Sequence, residues 1–300
     1  MAFRSSQQKS SVFGIVVSYN PGKEIFTHLK NLTNQVSKVI LFDNNSSGEC
    51  LEFVKKCEDI ENVNVIYSET NIGLSKAQNL AIKKALDEGA DWLLTLDDDS
   101  DISEGFVTNM LGLYNRGSNI GVIVPMVKDQ NSNQTSSFIL ASHNFKKVVP
   151  GSKPFDVLVA ISSGMLIRRN VFDQVGFMNE DYFIDYIDID FSLRVNTKFK
   201  MICCPDSILS HRLGEKKKVN VFLFSVVVSN HSPFRRYHIY RNRIDVWKNY
   251  YTVYPKYILY EVCVSVAEML KILVLESNKK DNLFSIFKGI ASSFKKRSIK

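Results

Sequence analysis

Cysteine is scarce: Cys50, Cys57, Cys203, Cys204 and Cys263 are the only five in 300 residues, an odd number with no CxxC pair. Adjacent Cys203 and Cys204 make poor ligands for one zinc ion, so the expectation is a set of reduced thiols and neither a disulfide framework nor a zinc site. Long apolar runs are also missing. None reaches the roughly 18 residues that a spanning helix needs, and the nearest approach, 257–275, is interrupted by Glu261, Glu268 and Lys271. The first eleven residues are polar and lead into no small-residue cleavage pattern, so no export signal is read and the cytoplasm is the expected compartment. A GxGxxG turn is absent after the first apolar run, where Tyr19-Asn20-Pro21-Gly22 stands, which argues against a nicotinamide dehydrogenase. That turn also lacks the Gly-rich, Arg/Lys-bearing character of a sugar nucleotidyltransferase. There are no internal repeats, and no recognisable nucleic-acid module frames the basic residues.

What is present is ordinary in amount and uneven in placement. Apolar residues make up 45% of the chain and charged residues 23%, the composition of a folded globular protein. The length suits one large domain or two modest ones. Residues 211–300 hold 18 Lys/Arg against 6 Asp/Glu, leaving 20 against 25 in residues 1–210. An acidic body joined to a basic end suggests a catalytic or binding unit with a segment that meets an anionic surface.

The first hundred residues alternate in type. Val12–Ser18, Val39–Phe42, Val63–Tyr67 and Asp91–Leu96 read as strands, the first an unbroken β-branched run expected of a strand covered on both faces. Between them Ile25, Leu29 and Leu32, then 48–57, then Ala77, Leu80, Ala81 and Ala85 read as helices, the last stopped by Gly89. This order predicts an α/β fold with a Rossmann-like, mostly parallel sheet and flanking helices. In such sheets ligands sit at the carboxyl ends of the strands, and three of the four end in polar strings: Ser18-Tyr19-Asn20, Asp43-Asn44-Asn45 and Asp97-Asp98-Asp99. Further on, 162–167 reads as another buried strand, 176–194 is the densest acid and aromatic cluster, and 219–300 reads as helical and basic. The expected division is a polar tail 1–11, a catalytic domain 12–215 and a helical C-terminal region 216–300.

Three adjacent carboxylates repel one another and call for a cation. In an extended turn Asp97 and Asp99 face the same way, and their hard oxygens suit Mg²⁺ or Mn²⁺ and, through it, a diphosphate. The plainer reading is a solvated acidic loop with Ser100 or Ser103 capping the next helix.

GIVVSYNP at 14–21, FDNNSS at 42–47, NIGLSKAQNLAI at 71–82, LTLDDDS at 94–100 and the 176–194 segment together resemble the family 2 glycosyltransferases, enzymes of the GT-A fold with nucleotide-sugar donors. FIDYIDIDFSLR at 183–194 and SPFRRYHIYRNRIDVWKNYY at 232–251 resemble bacterial rhamnosyltransferases of cell-surface polysaccharide assembly, such as O-antigen and capsule. The resemblance implies that Ser18, Tyr19 and Asn20 line the nucleotide pocket and that Asp43 reads the pyrimidine. It implies further that Asn71 and Gly73 sit beside the donor, that Asn79 reaches ribose or phosphate, and that Asp97 and Asp99 are metal and ribose ligands. Asp98 is often an amide in those enzymes, so which two of the three carboxylates engage the metal is open. His211 is implied as a support for metal or diphosphate, and Arg241, in a group with Arg235, Arg236 and Arg243, as a contact to diphosphate.

An inverting transfer needs one carboxylate to take the acceptor's proton. Aligning Leu193-Arg194 with the family pattern places Asp188 in that role, with Asp185 and Asp190 as alternatives. The implied donor is dTDP-rhamnose, or a UDP-sugar, and the implied acceptor a saccharide or a polyprenyl-diphosphate-linked one. Leu283, Phe284, Ile286, Phe287, Ile290 and Phe294 interleave with Lys288, Lys295, Lys296 and Arg297 as in an amphipathic helix on an anionic bilayer. Peripheral association with the inner face of the cytoplasmic membrane is therefore expected, a homodimer being the alternative use of that helix. Two other functions fit less: an aspartyl phosphatase leaves Asp43, Asn71 and the 183–194 acids without a role, and a non-catalytic polysaccharide-binding protein predicts no metal-dependent nucleotide binding. Nucleic acid is not an expected partner.

Overall fold

The computed structural model describes residues 10–115, 118–129, 134–141, 146–211, 217–221, 224–228, 231–276 and 278–295, with side chains placed outside 211–230. The alternating first part folds as its apolar pattern requires: β1 (Val12–Ser18), α1 (Ile25–Thr33), β2 (Lys38–Asp43), α2 (Gly48–Lys56), β3 (Val63–Tyr67), α3 (Leu74–Asp87) and β4 (Trp92–Asp97). Ile15, Val39, Ile40, Leu41, Leu93 and Leu94 are each at most 1% exposed, because helices cover both faces of these strands. The chain continues through β5 (Asp101–Ile102), α4 (Phe106–Gly112), β6 (Ile120–Asp129), β7 (Phe138–Leu140), β8 (Lys147–Val148), β9 (Phe155–Val159), β10 (Met165–Arg168), α5 (Arg169–Val175), α6 (Ile187–Val195) and β11 (Lys200–His211).

The main sheet runs β3-β2-β1-β4-β10-β6-β11-β9-β7-β8, with β5 paired to β11. Its first four strands are parallel, as are β6 and β11. Between these blocks β10 is antiparallel to both β4 and β6, so the sheet is mixed rather than mostly parallel. The reason is local: the chain returns to the rim at Gly164, whose N–H donates to the Thr95 carbonyl at 2.6 Å, and can only enter the sheet downward. The strand expected over 162–167 accordingly starts at Met165, since 162–164 form the turn.

Beyond His211 the structure departs from the helical reading. An antiparallel hairpin, β12 (Lys217–Val221) and β13 (Phe224–Val228), precedes three helices, α7 (Pro233–Tyr250), α8 (Pro255–Leu275) and α9 (Lys279–Ser293). A β-branched stretch such as 224–228 favours a strand wherever a partner strand is adjacent. Ser232 caps α7 by accepting the Arg235 N–H, with Pro233 at its first position. All five cysteines are free thiols, and burial pushes Cys57 up to about 11.

Candidate active site

Parallel register brings the ends of three strands to one rim, with Ser18 beside Asp43 and Val17 beside Asp97. Asp43 is 1% exposed; its carboxylate accepts the Ser18 hydroxyl at 3.3 Å and the Ser46 N–H at 3.0 Å. Asn20 adopts φ 51°, a left-handed conformation that asparagine tolerates, and this turns its N–H onto Ser46 Oγ (2.8 Å) and its side-chain oxygen onto the Ser47 N–H (3.0 Å). The rim loops after β1 and β2 thus lock each other, leaving the Tyr19 ring largely exposed at the edge. Asn71 joins them, accepting from Asn44 Nδ2 at 3.1 Å and from the Gly73 N–H at 3.0 Å.

Gly73 is required for a reason the sequence did not disclose. Its φ is +86°, and a Cβ would stand 2.7 Å from the Phe183 ring and 3.0 Å from the Phe183 carbonyl oxygen. The close approach is thus to the 176–186 loop, and the following N–H, of Leu74, donates to that same carbonyl at 2.7 Å. Asn79 is drawn into the same junction. Its amide donates to the Met178 carbonyl and Glu180 Oε1, each at 2.9 Å, and its oxygen accepts the Met178 N–H. Asn79, expected at ribose or phosphate, is buried here, and its hydrogen bonds go to this loop.

The acidic turn follows β4 at the centre of the rim. The Asp97 N–H donates to Ser163 Oγ at 3.1 Å, and His28 Nδ1 lies 3.1 Å from the Asp98 carbonyl oxygen, fastening both sides of the turn. Burial, reinforced by the charges of Asp97 and Asp99, pushes Asp98 up to about 7, against a hydrogen bond from the Tyr19 backbone that pulls it down. Asp98 therefore leans toward the β1 loop. The backbone of His211 ends β11 in register with Asp129, one residue after the Ser210–Asp101 pair, which puts it close to this turn; its side chain lies outside the described residues. Among the described residues no group of three or more His, Cys, Asp or Glu is spaced to hold a metal by itself.

The three candidate bases separate cleanly. Asp190 is buried, paired with Arg194 Nε at 3.0 Å and accepting the Tyr250 hydroxyl at 2.8 Å. Asp185 is gripped by Arg235, whose Nε and Nη2 reach its two oxygens at 3.0 and 2.8 Å. Asp188, in the first turn of α6, has no salt bridge among the described residues; its carboxylate accepts the neighbouring Ile189 N–H at 2.9 Å and is also held by its own backbone N–H. Burial pushes it up to about 7, with the nearby charges of Asp185 and Asp97 adding to the rise. It opens onto a cavity of about 300 Å³ lined also by Lys147, Ile161, Tyr257, Tyr260 and Glu261. A second cavity, of about 610 Å³, lies across Tyr257 and is lined by Asn196, Phe199 and Lys256.

The residues before Asp188 are strained. Asp185 and Tyr186 both have positive φ, 64° and 65°, which costs on the order of 1–3 kcal/mol for each such residue. One face of α7 holds them there: Arg235 on Asp185, Asn242 on the carbonyls of Ile184 (3.0 Å) and Asp185 (2.9 Å), and Arg243 on the Tyr186 hydroxyl. Each arginine of this helix makes a contact within the protein. Arg241 donates to the Asp181 carbonyl at 3.0 Å, and Arg236, wholly buried, pairs with Glu268 and Glu276. The reading of Arg241 as a diphosphate contact is not what these hydrogen bonds describe. Residue spacing offered one clue to the clamp, since 235, 242 and 243 fall on one helical face; Glu261 and Tyr257, on another helix, gave none.

These features belong to a known class. The sequence profile of Glycosyl transferase family 2 matches residues 15–176, and the chain belongs to that family. It is a glycosyltransferase with the GT-A architecture of mixed sheet and flanking helices: GalNAc-T7, crystallised with UDP, GalNAc and Mn²⁺, superposes with a TM-score of 0.63 at 15% identity over 96% of this chain and 58% of that one. Within the family it is similar to rhamnosyltransferases. It is 30% identical to the dTDP-rhamnosyl transferase RfbF of Shigella flexneri over 94% of this chain and 96% of that protein. It is 23% identical to the N-acetylglucosaminyl-diphospho-decaprenol L-rhamnosyltransferase of Mycobacterium tuberculosis over 72% of this chain and 75% of that protein.

Proposed function

We propose that the chain transfers L-rhamnose from dTDP-rhamnose to a hydroxyl of a saccharide acceptor, with inversion at the anomeric carbon and with Asp188 as the base. The observation that carries this is the separation of the three acids. Among the cavities formed by described residues, Asp188 is the one of the three that lines a cavity of sugar size, and it also feels the charge of Asp97 on the acidic rim. An acid held near 7 is matched to taking a hydroxyl proton at neutral pH and releasing it afterwards. Ser18, Tyr19, Asn20 and Asp43 line the nucleotide side, and Asn71 and Gly73 brace it.

Asp97 and Asp99 would hold Mg²⁺ or Mn²⁺. The fit is one of donor chemistry: three carboxylates share one turn, where burial, with the charges of Asp97 and Asp99 adding to it, pushes Asp98 up to about 7, and oxygen-only donors suit a hard divalent ion. Bound there, the ion would neutralise the departing nucleoside diphosphate. His211 remains a proposed support for it. The catalytic unit proposed is 12–215 together with the helices of 216–300, since α7 grips the base loop.

The acceptor is proposed to be lipid-linked and reached at a membrane surface. No helix of the described residues is long and apolar enough to cross a membrane. However, α9 and the residue that caps it divide their apolar side chains in two: Ile286 and Ile290 pack inward, while Phe284, Phe287 and Phe294 stand 69%, 60% and 68% exposed. Exposed Lys288 and Lys295 flank these rings, an arrangement suited to an anionic bilayer interface. Replacing the three phenylalanines by serine should abolish co-sedimentation with phosphatidylglycerol vesicles, and retained binding would remove the membrane from the proposal.

The test of the central reading is a thermal-shift panel of dTDP, UDP and GDP with and without Mn²⁺, followed by transfer assays. A Mn²⁺-dependent shift specific to dTDP is expected. Equal shifts with UDP would favour a UDP-sugar donor, and no shift with any nucleotide would overturn the proposal.

A further inference from the structure

The hydrogen bonds on Tyr186 do not stop at the base loop. Its hydroxyl donates to Glu261 Oε2 at 2.7 Å and accepts from Arg243 Nε, while the Arg243 guanidinium lies 5.5 Å from the centre of its ring. Arg243 continues to Ser265 Oγ at 3.0 Å and to Glu268 at 2.9 Å. Glu268 meets Arg236, Arg236 meets Glu276 at 2.6 Å, and Glu276 accepts from Asn282 at 2.7 Å. One connected polar network therefore begins two residues before Asp188, crosses α7 and α8, and ends on α9. Except for Glu268, its charged members and Tyr186 are each less than a tenth exposed.

Stability alone does not account for such a network. Buried ion pairs gain little over well-packed apolar side chains of the same size, but a buried polar network selects one arrangement of the groups it joins, most firmly where, as at the Tyr186 hydroxyl, both a donor and an acceptor are met. The arrangement selected here is specific. Asp185 and Tyr186 sit in a left-handed conformation that neither residue prefers, and α6 starts at the next residue, Ile187. The backbone at 186 thereby sets the direction of the first turn of α6, which carries Asp188. Tyr186 also accepts, through its carbonyl, the Asp190 N–H at 3.0 Å, the first hydrogen bond of that helix. Its phenol is tied to α8 through Glu261, and Glu261 itself lines the cavity onto which Asp188 opens.

We propose that Tyr186 is a positioning residue for the base, fixed from α8 by Glu261 and from α7 by Arg243, so that the C-terminal helices determine where Asp188 stands. This rests on the reading of Asp188 as the base. A residue that only stabilised the fold would, when changed, lower melting temperature, donor binding and rate together. A positioning residue should lower the rate selectively.

Tyr186→Phe keeps the ring against Arg243 and deletes the hydroxyl, and Glu261→Ala removes the other partner. The measurement is hydrolysis of dTDP-rhamnose by the full chain with Mn²⁺ and no acceptor, water standing in the acceptor's place. Expected is a kcat lower by about tenfold or more in both variants, with donor KM within about twofold of the parent, because small misplacements of a reacting group are costly. Glu261→Gln, which keeps an oxygen for the hydroxyl, should recover most of the rate lost in Glu261→Ala. Hydrogen exchange in a peptide spanning 184–192 should quicken in Tyr186→Phe while β1 and β4 remain unchanged. A kcat within about twofold of the parent in both variants, or a parallel fall of kcat, donor binding and melting temperature, would overturn the proposal. Should the parent hydrolyse no dTDP-rhamnose and also show no thermal shift with any nucleotide and Mn²⁺, the proposed function fails instead. Exchange then decides the positioning on its own, quickened exchange supporting it and unchanged exchange sinking it.

Discussion

On the donor side of the rim, Asp43 is fixed by a hydroxyl 25 residues away, set by the pairing of β1 with β2, and by a backbone N–H three residues away in the turn that follows β2. On the base side, the loop ahead of Asp188 is gripped by Arg235, Asn242 and Arg243, which come 50 to 58 residues later. The first arrangement follows once the sheet forms, because strand register alone aligns the groups. The second exists only after α7, α8 and α9 have docked and their buried charges have found partners. With Asp43 on the donor and Asp188 as the base, as proposed, binding and reaction draw on different parts of the chain, and they should fail separately.

The sharpest way to break that comparison is Asp188→Ala. Donor binding, followed by a Mn²⁺-dependent thermal shift with dTDP, should persist, while transfer falls by about a thousandfold, in the range expected for loss of a general base. Loss of binding as well would merge the two sides. Arg236→Ala comes next. It leaves Glu268 and Glu276 buried without their partner, and a cost of about 3–5 kcal/mol is expected in a denaturant titration.

The pH response sharpens the same point. Asp188 goes from 3.8 in an unfolded chain to about 7 in the fold, so between those values the folded state holds the extra proton. Its contribution to stability therefore declines as pH rises through that window and is lowest above about 7, with Asp98 acting in the same sense. Transfer should rise with pH over the same range, as the carboxylate form fills. Asp188→Asn should raise the melting temperature at pH 8 and leave it unchanged at pH 3, and an equal gain at both would refute the assignment. Smallest is Gly73→Ala, which meets Phe183 at a junction between the two sides. A loss of about 1–3 kcal/mol is expected, with donor affinity and rate both reduced, since this position belongs to neither side alone.

Much of the donor side could be read from the chain as written. The unbroken β-branched run at 12–18 meant a strand covered on both faces, and polar strings at the ends of the strands read at 12–18, 39–42 and 91–96 meant a rim. The base side was read less well. In the sequence Arg236 and Arg243 group with Arg241 near a diphosphate, whereas the packing of α8 turns them inward onto Glu268. Asn79 looked like a ligand-binding amide until the 176–186 loop folded over it. The amphipathic reading of α9 placed its isoleucines and phenylalanines on one face, whereas contact with α7, close enough to require Gly289, divides them.

By itself the sequence determined the alternation of strands and helices, the carboxylate turn after β4 and the family, because each depends on contacts between neighbours in the chain or on short motifs. Only tertiary structure decided which of Asp185, Asp188 and Asp190 is left facing a cavity. That choice depends on which carboxylates meet an arginine or a tyrosine from a distant helix, and nothing in the spacing of the three acids encodes those partners.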